Sequence, residues 1–111
     1  MESVRTTESI IFSRLTKAAK SSGVVLTYTH KLFFLRLLDL AESMRHDADH
    51  ELCVTLSVQE LSKTLEIPLR TTIQCLNRLT ACDALKRTGG EKTFPRSPTT
   101  TTINKKFYEK E

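Results

Sequence analysis

The spacing of apolar residues changes several times along this chain, and each change predicts an element. In residues 1–23, Ile11, Leu15, Ala18 and Ala19 recur at helical intervals, with Ile10 and Phe12 widening the stripe, which predicts an N-terminal helix. Ser21-Ser22-Gly23 ends it, glycine suiting the left-handed position after a last turn. Val24 to Thr29 fits either a strand or an extended lead into the next helix. From Thr29 to Arg45 a second helix is predicted, in which Leu32, Leu35, Leu38 and Met44 interleave with Phe33, Phe34, Leu37, Leu40 and Ala41. A helix that is apolar nearly all round is buried on more than one side. It is therefore either central to the core or turns a second face to a partner chain.

A charged loop, His46 to Glu51, leads to Leu52, Val54 and Leu56, whose alternation predicts a short strand. Ser57 and Glu60 then form a capping-box signature, each side chain able to satisfy the other's free N–H. It predicts a helix from Val58 to about Leu65, burying Val58, Leu61 and Leu65. After a break at Glu66-Ile67-Pro68, another helix should run from Leu69 to about Ala84, with Pro68 fitting its very start, where a missing N–H costs nothing. Leu85 to Thr88 reads as a strand, Gly89 to Pro98 as a turn-rich connection, and the β-branched run Thr99 to Ile103 as the returning strand. Lys105 to Glu111 is a polar end, with Phe107 or Tyr108 tucking back.

At 111 residues and 12.6 kDa, with 39% apolar and 27% charged residues, the chain is expected to be one domain, residues 1–111. The longest apolar run, Leu32 to Ala41, is interrupted by Arg36 and Asp39 and is about half a membrane span. No export signal opens the chain, and three cysteines without framework spacing make no disulfide scaffold. A reduced, cytoplasmic protein is expected. The net charge of +4 is modest, but its distribution is informative. Residues 1–50 hold seven Lys or Arg against six Asp or Glu, whereas residues 68–106 hold eight against two. A polyanion would dock on the second half.

On a helical wheel, Leu69, Thr72, Ile73, Leu76 and Leu79 fall to one side of the predicted helix. Arg70, Thr71, Gln74, Asn77 and Arg78 fall to the other, with no carboxylate from Pro68 to Cys82. That set matches the major groove. Arg can fork onto guanine O6 and N7, Asn or Gln onto adenine, and a Thr methyl can meet the thymine methyl. Lys63, Lys86, Arg87, Lys92 and Arg96 are the candidates for backbone phosphates, which set orientation without reading sequence. The plain alternative is a solvated helix face, although an ordinary one would mix its charges.

The stretch Gln59-Glu60-Leu61-Ser62-Lys63-Thr64-Leu65-Glu66-Ile67-Pro68-Leu69-Arg70-Thr71-Thr72 resembles the two-helix motif of the winged helix-turn-helix DNA-binding superfamily. Leu76-Asn77-Arg78-Leu79 resembles the end of its recognition helix, and the likeness covers about residues 29–107. The family often has glycine where this chain has Glu66, and some relatives present polar base-contacting side chains where it has Leu69 and Ile73. The resemblance implies an α+β, mainly α fold: a winged helix-turn-helix with an extra N-terminal helix and a C-terminal β-hairpin wing. It implies double-stranded DNA as partner, the helix 69–84 in the major groove and the 86–96 wing on the flanking backbone. Two-fold binding would make the chain a homodimer through residues 3–20 and the helix 29–45, with Ile11, Leu15, Phe33 and Leu37 at the contact.

A sequence-specific transcriptional regulator of prokaryotic, plasmid or phage type is the first reading. A plasmid or phage replication or partition protein is the second, since the same physics serves both. A winged helix used as a protein-interaction module stands in a different class, favoured if Leu69 and Ile73 are exposed. His46 and His50 are four residues apart and, with Asp47, Asp49 or Cys53, have zinc-ligand chemistry, against the plainer reading of a polar helix end and loop. Cys75 and Cys82 read as small buried hydrophobes rather than a redox pair. No nucleophile-base or paired-acid pattern appears, so no catalysis is expected, and no cofactor, metal or small-molecule substrate.

Overall fold

Three of the four α-helices among the described residues begin where a hydroxyl side chain can accept a backbone N–H. The computed structural model describes residues 6–44, 52–88 and 99–110. Helix α1 (Glu8–Ser22) is capped by Thr7, α2 (Tyr28–Ser43) by Thr27 and α3 (Val58–Leu65) by Ser57. At α3 the expected capping box is complete. Ser57 Oγ accepts from Glu60 N–H and Glu60 Oε1 from Ser57 N–H, both at 3.1 Å. Helix α2 has its own version, with histidine in the glutamate's place: Thr27 N–H donates to His30 Nδ1 at 3.0 Å. Val24 to Leu26 is the extended lead into α2 rather than a strand.

Helix α4 (Leu69–Ala81) differs at both ends from expectation. Pro68 is its N-cap, with extended ψ of 142°, rather than its first helical residue, and no side chain caps the helix. The helix stops at Ala81, short of Ala84, because Asp83 takes a left-handed conformation (φ 68°). Three helix ends share one geometry. Val24 N–H reaches Ala19 C=O, Ile67 N–H reaches Ser62 C=O, and Ala84 N–H reaches Leu79 C=O, each spanning five residues around a left-handed residue. That residue is Gly23 after α1, but Glu66 after α3 and Asp83 after α4. A Cβ in this region costs about 1 kcal/mol or more. Glu66→Gly and Asp83→Gly are therefore each expected to stabilise the fold by about 1 kcal/mol, read as a raised urea midpoint, whereas Gly23→Ala should lower it.

Strands β1 (Cys53–Leu56), β2 (Leu85–Thr88) and β3 (Thr99–Ile103) form one antiparallel sheet in the order β1-β3-β2. The pairing of β2 with β3 is the expected hairpin; β3 also pairs with β1, which puts it at the centre. The register Val54↔Thr101↔Arg87 and the pair Ile103↔Leu85 set one face against the helices. Val54, Thr101, Ile103 and Leu85 on it are buried. The result is an α+β fold that is mainly helical.

Helix α2 runs through the core, with Phe33, Phe34, Leu35, Leu37, Leu38 and Ala41 all buried, and packs against α1, α4 and β1. Most of its broad apolar face is thus covered within the chain, with Leu32 and Met44 left exposed. This corrects the expected dimer contact. Ile11 and Leu15 on α1 and Phe33 and Leu37 on α2 are at most 1% exposed, so these side chains face their own core and offer nothing to a second copy. Both Phe107 and Tyr108 tuck back, beside a short 3-10 turn (Lys105–Phe107). Phe107 meets Phe34 edge to face at 6.2 Å, Leu52 N–H donates to the Tyr108 hydroxyl, and Arg14 Nη1 donates to the carbonyls of Lys106 and Glu109. None of the described helices is long and apolar enough to cross a membrane.

Candidate nucleic-acid interface

The connection between α3 and α4 is fixed by two hydroxyls. Ser62 Oγ and Thr72 Oγ1 both donate to the Ile67 carbonyl, and Thr72 also reaches the Pro68 carbonyl at 3.1 Å. With Ile67 N–H on Ser62 C=O, the turn has little freedom, so α3 and α4 are held as a unit. Spacing alone gives neither hydroxyl this role. Thr72 is fully buried, and its inward hydroxyl is satisfied by this turn.

On its inner side α4 buries Thr72, Cys75, Leu76 and Leu79. Arg70, Gln74, Asn77 and Arg78 are exposed and Thr71 is half-buried, so all five base-contacting candidates lie off the core side. No hydrogen bond or ion pair within the described residues engages the side chains of Arg70, Gln74 or Asn77. The helix holds two arginines and no carboxylate. One wheel position is corrected: Ile73 is 38% exposed rather than core-facing, and Leu69 is half-buried. The true centre of the buried arc lies between Cys75 and Leu76, which carries Ile73 out onto the flank beside Asn77.

The phosphate candidates separate. Lys63 on α3 and Lys86 on β2 are exposed. Arg87 follows the strand alternation onto the helix-facing side, half-buried opposite Thr101, with Nε buried and without a hydrogen-bond partner. Burial holds its pKa below the ordinary arginine value, and its reach toward a backbone is shorter than that of Lys86. Lys92 and Arg96 lie outside the described residues, as do His46 and His50 of the zinc constellation. Among the described residues no three His, Cys, Asp or Glu side chains gather to hold a metal.

Burial pushes the Cys75 thiol up to about 11 and raises that of Cys82 as well, so both stay protonated and unreactive at neutral pH. His30 is 5% exposed at the start of α2. Its pKa is lowered, first by desolvation and then by the Arg78 guanidinium. Accepting at Nδ1 places its proton on Nε2. Below pH 6.5 the unfolded chain takes up a proton at this position that the folded chain refuses until lower pH. Stability from His30 is thus full above pH 6.5 and lost as the pH falls toward the folded value. Urea midpoints between pH 7.5 and 5.5 should fall more for the unmodified chain than for a His30→Gln variant.

Comparison with known proteins gives a single kind of signal. No protein-family model matches the chain, and no curated protein matches it. Among solved structures, one described as the N-terminal domain of a DNA binding protein is similar, with a TM-score of 0.60 and 16% sequence identity. The match covers 93% of this chain and 74% of that one. At that identity the likeness is one of fold.

Proposed function

We propose that this chain is a winged helix-turn-helix domain that binds double-stranded DNA in a sequence-specific way, and that it acts by binding rather than by catalysis. One observation carries the reading: α4 turns Arg70, Gln74, Asn77 and Arg78 outward, unengaged by any carboxylate of its own helix, while the hydroxyl-tied turn holds it rigidly on α3. In this reading α4 lies in the major groove, with Arg70, Thr71, Gln74, Asn77 and Arg78 toward base edges. Lys63, Lys86 and, with a shorter reach, Arg87 meet phosphates, joined by Lys92 and Arg96 from the connection between β2 and β3. The uncapped start of α4, with its free N–H groups, adds to the field favouring an anion. The fold likeness to a domain of a DNA binding protein supports the same reading.

A regulator of transcription is the first role, and a replication or partition protein of a plasmid or phage the second. A two-fold site would bring two copies together. The apolar side chains available for that contact are the exposed Ile10, Val25, Tyr28, Leu32 and Met44 on or beside α1 and α2, rather than the four buried ones. A second reading, a protein-interaction module, is favoured by the exposure of Ile73. Selection of bound duplexes from a random pool at about 150 mM salt, where screening acts over about 8 Å, tests the proposal. An enriched inverted repeat with half-sites about one helical turn apart is the expected result. Failure to retain any duplex would overturn it in favour of the protein-contact reading.

A further inference from the structure

We propose that Ile73 is a base-reading side chain, recognising the methyl group of a thymine within two base pairs of the base addressed by Asn77. The inference rests on the DNA-binding reading above and names what that reading leaves open, the part of the target selected without hydrogen bonds. Ile73 is the one large apolar side chain exposed on α4, at 38%; the others exposed among the described residues lie on α1, on α2 or beside them. Its neighbours along the helix are Arg70 three residues before and Asn77 four residues after, both exposed and unengaged. On a helix such neighbours stand about 5–6 Å apart at Cβ, with Asn77 about 40° around the axis from Ile73 and Arg70 about 60°. Ile73 thus sits within the same outward strip as the polar candidates.

Charge decides what this strip can face. Two arginines and no carboxylate on α4 complement a polyanion, and an apolar protein surface would leave both guanidiniums without counter-charge. In the major groove the thymine C5-methyl is the apolar feature among the base edges. Base pairs stack at intervals of about 3.4 Å, so a methyl under Ile73 falls one or two pairs from the adenine under Asn77. The β-branched side chain is stiff at χ1, which suits a contact defined by shape.

The test uses the full chain and the duplex enriched from the random pool, with each thymine replaced in turn by deoxyuridine. That change removes the methyl and leaves base pairing intact. One replacement, within two pairs of the position sensitive to Asn77→Ala, should weaken binding by about fourfold, the effect of one buried methyl-sized group. The Ile73→Ala chain should bind the thymine and uracil duplexes equally. Because Ile73 is exposed, this variant should melt like the unmodified chain. Equal binding of all deoxyuridine duplexes by the unmodified chain would overturn the assignment. So would a uracil penalty that persists in Ile73→Ala, or retention of duplexes without any enriched sequence. Each of those outcomes leaves DNA binding standing. If no duplex is retained, the DNA-binding reading fails and Ile73's role fails with it.

Discussion

Phe34→Ala is expected to lose about 3–5 kcal/mol of stability, enough to leave much of the chain unfolded if the starting stability is at the low end of the usual 5–15 kcal/mol. Phe34 is 0% exposed and lies on α2, the helix that α1, α4 and β1 all contact. Its ring also meets Phe107 edge to face. Removing the ring loses both the transfer free energy of the side chain and the packing of the surrounding atoms. Collapse into the void is hindered, because the neighbouring groups come from elements far apart in sequence. Urea titration followed by circular dichroism measures the effect. A loss below about 1 kcal/mol would mean that the packing around α2 is looser than described. Ile73→Ala, by contrast, should stay within about 0.5 kcal/mol, as befits an exposed position.

The second large effect separates reading from holding. Arg70→Ala should lower affinity for the preferred duplex by about 5- to 150-fold, corresponding to about 1–3 kcal/mol for a lost bidentate contact to guanine. It should do so at one base position and leave binding to unrelated duplexes nearly unchanged. Lys86→Ala should instead weaken all duplexes alike and flatten the salt dependence by about one unit of slope. Five phosphate contacts would give a slope of about −4.5, so affinity should fall several hundredfold between about 50 and 200 mM salt. An apolar protein contact has no such dependence. If Arg70→Ala weakened every duplex equally, Arg70 would be a phosphate contact and the assignment of α4 to base edges would fail. Arg87→Ala should flatten the slope less than Lys86→Ala, because its guanidinium is drawn in toward the helices.

What is legible in the sequence is local. The bounds of α3, β2 and β3 agree with the expected ones residue for residue, because a capping box, a flanking turn-rich stretch and a β-branched run act over a few neighbours. The end of α4 escapes for a local reason too. Asp83 occupies a left-handed position that glycine usually marks, and aspartate gives a weaker signal there. Other errors come from counting hydrophobicity without knowing the direction of the core. Weighting Leu69 and Ile73 as core residues turns the inferred buried side of α4 away from Cys75, which is fully buried. In the same way, the stripe of Ile11, Leu15, Phe33 and Leu37 shows that something covers it, yet periodicity cannot say whether the cover is a second copy or the chain itself. Long-range pairings such as β1 with β3, or Tyr108 with Leu52, leave no trace in spacing.

The central strand β3 has a further consequence. Its first four residues are all threonine, Thr99 to Thr102, and they face Leu56 to Cys53 on one side and Thr88 to Lys86 on the other. Sliding such a strand by two places presents the same side chain at most positions, so these threonines hold almost no information about alignment. That information is concentrated at Ile103, which is fully buried, and at Asn104, whose side-chain amide donates to the Asp83 carbonyl. The sheet therefore behaves like a zip fastener with its slider box at one end. Alignment is decided once, beside α4, and the remaining rungs close in whatever phase that end dictates.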